Sequence, residues 1–203
     1  IGTTNAVNRT YAVGACCTNL ATPITDSLAI SSIALMVNNL APAILTTDLE
    51  AKNQQLMAST MANIACGNAR LDLIHALSHP LGSRHMPHGL ANGILIPYVM
   101  EFNLPVCADK FARMAVAMGE ATPGMTTADL ARSAIKIIKE LFIKTGYPKK
   151  IPADVVTKKD IPDMVKQAMT RPMIRFNKRK ASEKELAAIY RRAMEGWEKE
   201  GAA

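Results

Sequence analysis

No segment of this chain alternates β-branched and polar residues as a half-buried strand must, and that absence confines it to helices. Apolar residues instead return at helical spacings, with helix-opening and helix-closing residues between the runs. Composition points the same way. Of the 203 residues 49% are hydrophobic, but only four Phe, four Tyr and one Trp are present. The apolar mass lies in Ala, Leu, Ile, Val and twelve Met, and the unbranched members keep their rotamer freedom in a helix. A chain of this length can bury a real core, and no internal repeat or Pro/Gly/Ser linker divides it. The expected fold is all-α, one helical domain over 1–203.

Pro23 followed by Ile24, Leu28, Ile30, Ile33, Leu35 and Val37 predicts a buried helix ending near Asn38-Asn39. Thr47-Asp48-Leu49-Glu50 has the form of a capping box and opens a helix running to about Cys66-Gly67. A helix over 68–80 follows, then an almost wholly apolar one from His88 to about Asn103. Pro105 is expected to open a separate helix to Met118. Thr126-Thr127-Ala128-Asp129 starts another, broken at Gly146-Tyr147-Pro148. Residues 149–160 read as a loop with at most one short turn. A helix over 161–169 and a last one opened by the capping box at Ser182 to Glu185 complete the chain, ending near Trp197.

Several function classes drop out. The cysteines at 16, 17, 66 and 107 have neither metal-finger spacing nor a secreted-domain pattern, so they read as small buried residues in a reducing compartment. No stretch approaches 18 uninterrupted apolar residues, and there is no basic leader, which argues for a cytoplasmic protein without a membrane partner. The chain opens Ile1-Gly2-Thr3 without a Met, the expectation being a fragment of something longer. Glycine-rich nucleotide motifs are absent, so any nucleotide cofactor would be held mainly elsewhere. The formal charge is +7, and 171–180 carries five basic groups and no acid. With Phe176 its sole aromatic, that run reads as a solvated loop, or one facing an anionic cofactor or subunit, and not as a nucleic-acid surface.

All four histidines fall within residues 75–88. Imidazole is the common proton-transfer group near neutral pH and the commonest metal ligand. His75 and His79, four apart, share one helix face. After Pro80 and Gly82, which offers a stop, the chain comes back through Pro87-His88-Gly89. The spacing alone leaves open a site or four independently satisfied histidines.

The stretch Asn68-Ala-Arg-Leu-Asp-Leu-Ile-His75-Ala-Leu-Ser-His79-Pro-Leu-Gly, with Pro87-His88-Gly89-Leu-Ala-Asn92-Gly-Ile-Leu-Ile-Pro97, closely resembles the iron-containing (group III) alcohol dehydrogenases. It is similar to the signature of their C-terminal helical domain, of dehydroquinate synthase-like fold. Thr22-Pro-Ile-Thr-Asp26, Asp160-Ile-Pro-Asp and Phe176-Asn-Lys-Arg-Lys extend the resemblance to nearly everything after residue 18. It implies metal-assisted hydride transfer between a small alcohol or aldehyde and NAD or NADP, the nucleotide being held by an N-terminal α/β domain absent from this chain. His75 and His88 match two ligands of a divalent metal, iron or zinc. His79 matches a histidine beside the nicotinamide that assists substrate or proton movement. His85 matches no role and is expected to face solvent or to support the site from behind.

The resemblance fails upstream. The family's remaining ligands, an Asp and a His four apart, fall on Val7 and Tyr11 without a gap, or on Ile1 and Asn5 with a shifted alignment. Neither pair can ligate as the family's does, and no acid precedes Asp26. Two imidazoles should hold a metal weakly. The chain alone is therefore expected to be a nearly inactive dehydrogenase half. The alternative is a structural or oligomerisation module that keeps the fold. Self-association into a homo-oligomer is expected from the apolar helices over 88–118.

Overall fold

The computed structural model describes residues 10–120 and 123–197. Its helices are α1 (helical over 10–16), α2 (Pro23–Leu45), α3 (Leu49–Ala69), α4 (Leu73–Gly82), α5 (His88–Ala117), α6 (Thr127–Lys144), α7 (Ile161–Met169) and α8 (Glu183–Glu195). Short 3-10 turns cover Lys158–Asp160 and Pro172–Arg175. Among the described residues there is no strand, only an isolated antiparallel bridge between Thr18 and Asn177.

Caps explain most starts. Thr22 and Thr25 bond each other's backbone N–H groups at the head of α2, with Pro23 in the first turn. Thr126 with Asp129 and Ser182 with Glu185 do the same for α6 and α8. The expected box at Thr47 is different: Asp48 is the cap and accepts from Ala51 N at 2.9 Å. Its carboxylate reaches the third backbone donor directly, so Glu50 is left to bond Gln54.

Three expected helix boundaries are corrected. α2 runs past Asn38-Asn39 because Asn39 turns its amide back onto Leu35 O at 2.9 Å, and the helix ends beyond Pro42. α5 is one helix of 30 residues through both Pro97 and Pro105. Each proline removes one donor, but burial of the surrounding helix outweighs that local penalty. Asn103 ends nothing either: buried, it exchanges two hydrogen bonds of 3.0 and 2.9 Å with Asn177. The histidine helix begins at Leu73, not 68, because α3 continues to Ala69 and the chain reverses at Arg70 with φ 72°. Gly82 stays helical, and His85 takes the left-handed turn with φ 65°.

The core is built around α5, against which α2, α4, α6 and α8 pack. α2 and α5 are each long and apolar enough to cross a membrane, but 72% of the apolar window of α5 is already buried inside the protein, against 39% for α2. The apolarity of 88–118 therefore belongs mainly to the core. The exposed large apolar side chains lie elsewhere, several of them on α3 (Leu49, Leu56, Met57, Ile64).

Candidate metal and alcohol site

The two histidine-bearing helices are held in register from outside. Tyr190 of α8 is fully buried and donates its hydroxyl to Leu77 O at 2.7 Å, midway between His75 and His79. Arg84, just past α4, pairs with Asp163 of α7 at 2.8 Å. At the start of α5, the Tyr147 hydroxyl donates to Gly89 O at 2.5 Å. It approaches so closely because Gly93 has no side chain: a Cβ there would overlap the hydroxyl and lie 2.5 Å from Cζ. Helix positions on both sides of the site are thus fixed by buried tyrosines.

That scaffold brings three histidines together. The rings of His75 and His88 are 5.7 Å apart centre to centre, and those of His79 and His88 are 6.3 Å apart. His75 is 1% exposed, and neither of its ring nitrogens has a hydrogen-bond partner. His79 is half-buried and His88 exposed, the latter with Nε2 2.9 Å from the Asn92 amide. His85 is exposed and outside the cluster, as expected for a residue without a role. Tyr11 stacks on His75 with centroids 5.2 Å apart and ring planes 13° from parallel. Its partner in the ungapped alignment, Val7, and the shifted pair Ile1 and Asn5 lie outside the described residues.

Burial first, then neighbouring charge, biases the outer imidazoles toward the neutral form. Burial, then the positive charge of Arg171, then His75, lowers the His79 pKa below 6.5. Burial, His75 and His79 lower that of His88. Neutral rings present lone pairs, the form a metal or a transferred proton requires. The sign for stability follows: the unfolded state takes up protons first, so this contribution is intact above pH 6.5 and is lost as pH falls from 6.5 through the lower folded values. Arg171→Gln should raise the His79 pKa toward 6.5, followed by proton NMR of the ring; an unmoved or lowered value would discard this account.

A cavity of about 450 Å³ is walled by Tyr11, Cys66, Arg70, Leu71, Met173 and Phe176; no histidine lines it, and Tyr11, stacked on His75, stands between it and that ring. Apart from Arg70 and Asn63 its walls are largely apolar. The basic run 171–180 forms one flank; its Arg175, Lys178 and Lys180 are exposed, while the other two basic residues are engaged. Arg179 lies 4.0 Å over the Phe102 ring and bonds Phe102 O and Glu185, and Arg171 buries Nε. All four cysteines are free and buried, as expected, and burial pushes the Cys16 and Cys66 thiols up to about 12.

The fit to a divalent ion is half a fit. Two imidazoles converge, and the buried, unpartnered nitrogens of His75 are what a missing ligand leaves behind. Yet among the described residues no group of three or more His, Cys, Asp or Glu side chains is placed to enclose an ion. The spacing had revealed the histidines. It had not revealed Asp72, Asn92, Arg171 or the Tyr11 stack; of these Asp72, three residues before His75, and Asn92, four after His88, carried a signal as same-face neighbours.

The C-terminal domain of the Fe-containing alcohol dehydrogenase family matches residues 9–194. The 1,3-propanediol dehydrogenase of Citrobacter freundii is 40% identical over 186 residues, 91% of this chain and 48% of that protein. The NAD-dependent methanol dehydrogenase of Bacillus methanolicus is 32% identical over 176 residues, 86% of this chain and 46% of that one. A crystal structure of a 1,3-propanediol oxidoreductase superposes with a TM-score of 0.92 at 37% identity, covering 95% of this chain and 51% of that one. The chain spans about half the length of the curated relatives it matches.

Proposed function

Since this chain belongs to the Fe-containing alcohol dehydrogenase family and corresponds to its C-terminal domain, we propose that it is the metal- and alcohol-binding half of an NAD(P)-dependent oxidoreductase. The observation that carries this reading is the clustering of the His75, His79 and His88 rings, with His75 buried and both its ring nitrogens unpaired. His75 and His88 would hold the ion. When bound, such an ion supplies Lewis-acid polarisation of an alcohol or aldehyde oxygen, and the nicotinamide of a nucleotide domain supplies the hydride partner.

The chain's own residues do the rest. His79, half-buried and biased to its neutral form, accepts or returns the hydroxyl proton. Asn92 orients the His88 ring.

With two ligand histidines, binding is weak. Titration of the purified chain with Co²⁺ or Zn²⁺ should show an ion that dialysis removes, and His75→Ala should abolish the titration. One observation favours the second reading, a module that keeps the fold after losing the metal: the Tyr11 ring lies against His75 where the ungapped alignment calls for a histidine. A wild-type titration indistinguishable from His75→Ala would select that reading. Tight, stoichiometric ion retention would show instead that the remaining ligands are stronger than argued.

A further inference from the structure

We propose that Asp72 is the positioning carboxylate of His75, fixing which imidazole nitrogen is offered to the ion; the metal half of this inference rests on the reading above. Asp72 is fully buried. Its Oδ1 caps α4 by accepting from Ile74 N at 3.1 Å, and the same oxygen is 3.5 Å from His75 Nδ1. Oδ2 is buried without a hydrogen-bond partner. A helix cap needs only one acceptor and is served as well by serine, which keeps its hydroxyl solvated or bonded without bringing a charge inside. A carboxylate with 0% exposure is costly unless something positive or protic answers it. Ile74 N–H answers one oxygen and the His75 ring lies at its edge, while Cys17, Cys66 and Cys107 are within electrostatic range and Gly14 of α1 lies directly against it.

Gly14 is the second observation. A Cβ there would lie 2.8 Å from Asp72 Oδ1 and 2.9 Å from Cγ, so α1 approaches α4 at this height only because residue 14 has no side chain. The backbone is shaped around the carboxylate. With Tyr11 covering one face of the ring, Asp72 sits at the Nδ1 edge. A proton on Nδ1 directed to Asp72 leaves Nε2 with its lone pair free. Such an outer carboxylate both selects the tautomer and raises the basicity of the ligand nitrogen. At 3.5 Å the pair is in contact range without a formed hydrogen bond, and site contacts of this kind shorten when a complex closes.

The experiment is ¹⁵N–¹H NMR of the imidazoles in the wild-type chain and in Asp72→Ser, with Co²⁺ titration of both. Serine keeps the cap on Ile74 N and is too short to reach His75. Wild-type His75 should be a single Nδ1–H tautomer, Asp72→Ser should become a tautomer mixture at nearly unchanged Tm, and its Co²⁺ affinity should drop about 10- to 100-fold. A wild-type ring protonated on Nε2 overturns the proposal without reference to any variant. So does a tautomer unchanged in a folded Asp72→Ser chain. If neither chain takes up Co²⁺, the metal reading fails by itself, and the tautomer still decides what Asp72 does.

Discussion

Val7→Asp combined with Tyr11→His should convert a weak two-imidazole site into one that keeps its ion through dialysis. Tyr11 already stacks on His75 with centroids 5.2 Å apart, so an imidazole at position 11 enters the cluster without moving α1. The ungapped alignment puts the family's carboxylate four residues earlier. A carboxylate neutralises part of the ion's charge, and a third imidazole supplies another nitrogen donor. An increase in Zn²⁺ or Co²⁺ affinity of at least about 100-fold requires only about 2.8 kcal/mol, at 1.4 kcal/mol per tenfold. Isothermal titration reads it. The shifted pair Ile1→Asp and Asn5→His is the control and should gain nothing. Equal affinity of the Val7/Tyr11 double variant and wild type would mean that residues 75 and 88 are not ligand positions in this chain.

Gly93→Ala should be among the most destabilising single substitutions available. The added methyl would occupy the space of the Tyr147 hydroxyl and lie 2.5 Å from Cζ, so the ring has to leave. Tyr147 is packed at 4.7 Å on the Phe142 ring and bonds Gly89 O and Leu90 O at the head of α5. Overpacking of this kind costs about 1–3 kcal/mol, and stranding buried polar groups adds about 1–3 kcal/mol. The sum, about 2–6 kcal/mol, is a large part of the stability of an ordinary domain. Urea denaturation should show the midpoint falling at nearly constant slope. Tyr147→Phe should lose only about 1 kcal/mol, the net value of the hydrogen bond. Gly93→Ala introduced on Tyr147→Ala should lose far less than on wild type, because the clash is gone. If the two losses are equal, Tyr147 is not what holds position 93 empty.

Sequence and structure agree where the deciding interactions are local. The boxes at Thr126 and Ser182 form as written, since a hydroxyl and a carboxylate three residues apart meet at any helix start. His75 and His79 share a face for the same reason. The disagreements have a common origin. Local rules ended a helix at Asn38-Asn39 and at Asn103-Pro105, whereas the protein continues both: Asn39 bonds within its own helix, and Asn103 finds Asn177, 74 residues away. Apolar character in 88–118 suggested an unmet surface, and the core takes up most of it.

By itself, then, the sequence determined that the chain is helical, where most helices begin, and which imidazoles belong together, because these depend on contacts spanning only a few residues. The tertiary structure alone decided that α5 passes unbroken through two prolines and that Tyr190 and Tyr147 clamp the histidine helices. It also decided that Gly14 gives way to a buried carboxylate at the edge of His75. Those outcomes depend on which distant side chains fill the same small volume, and spacing along a chain carries no record of that competition for space.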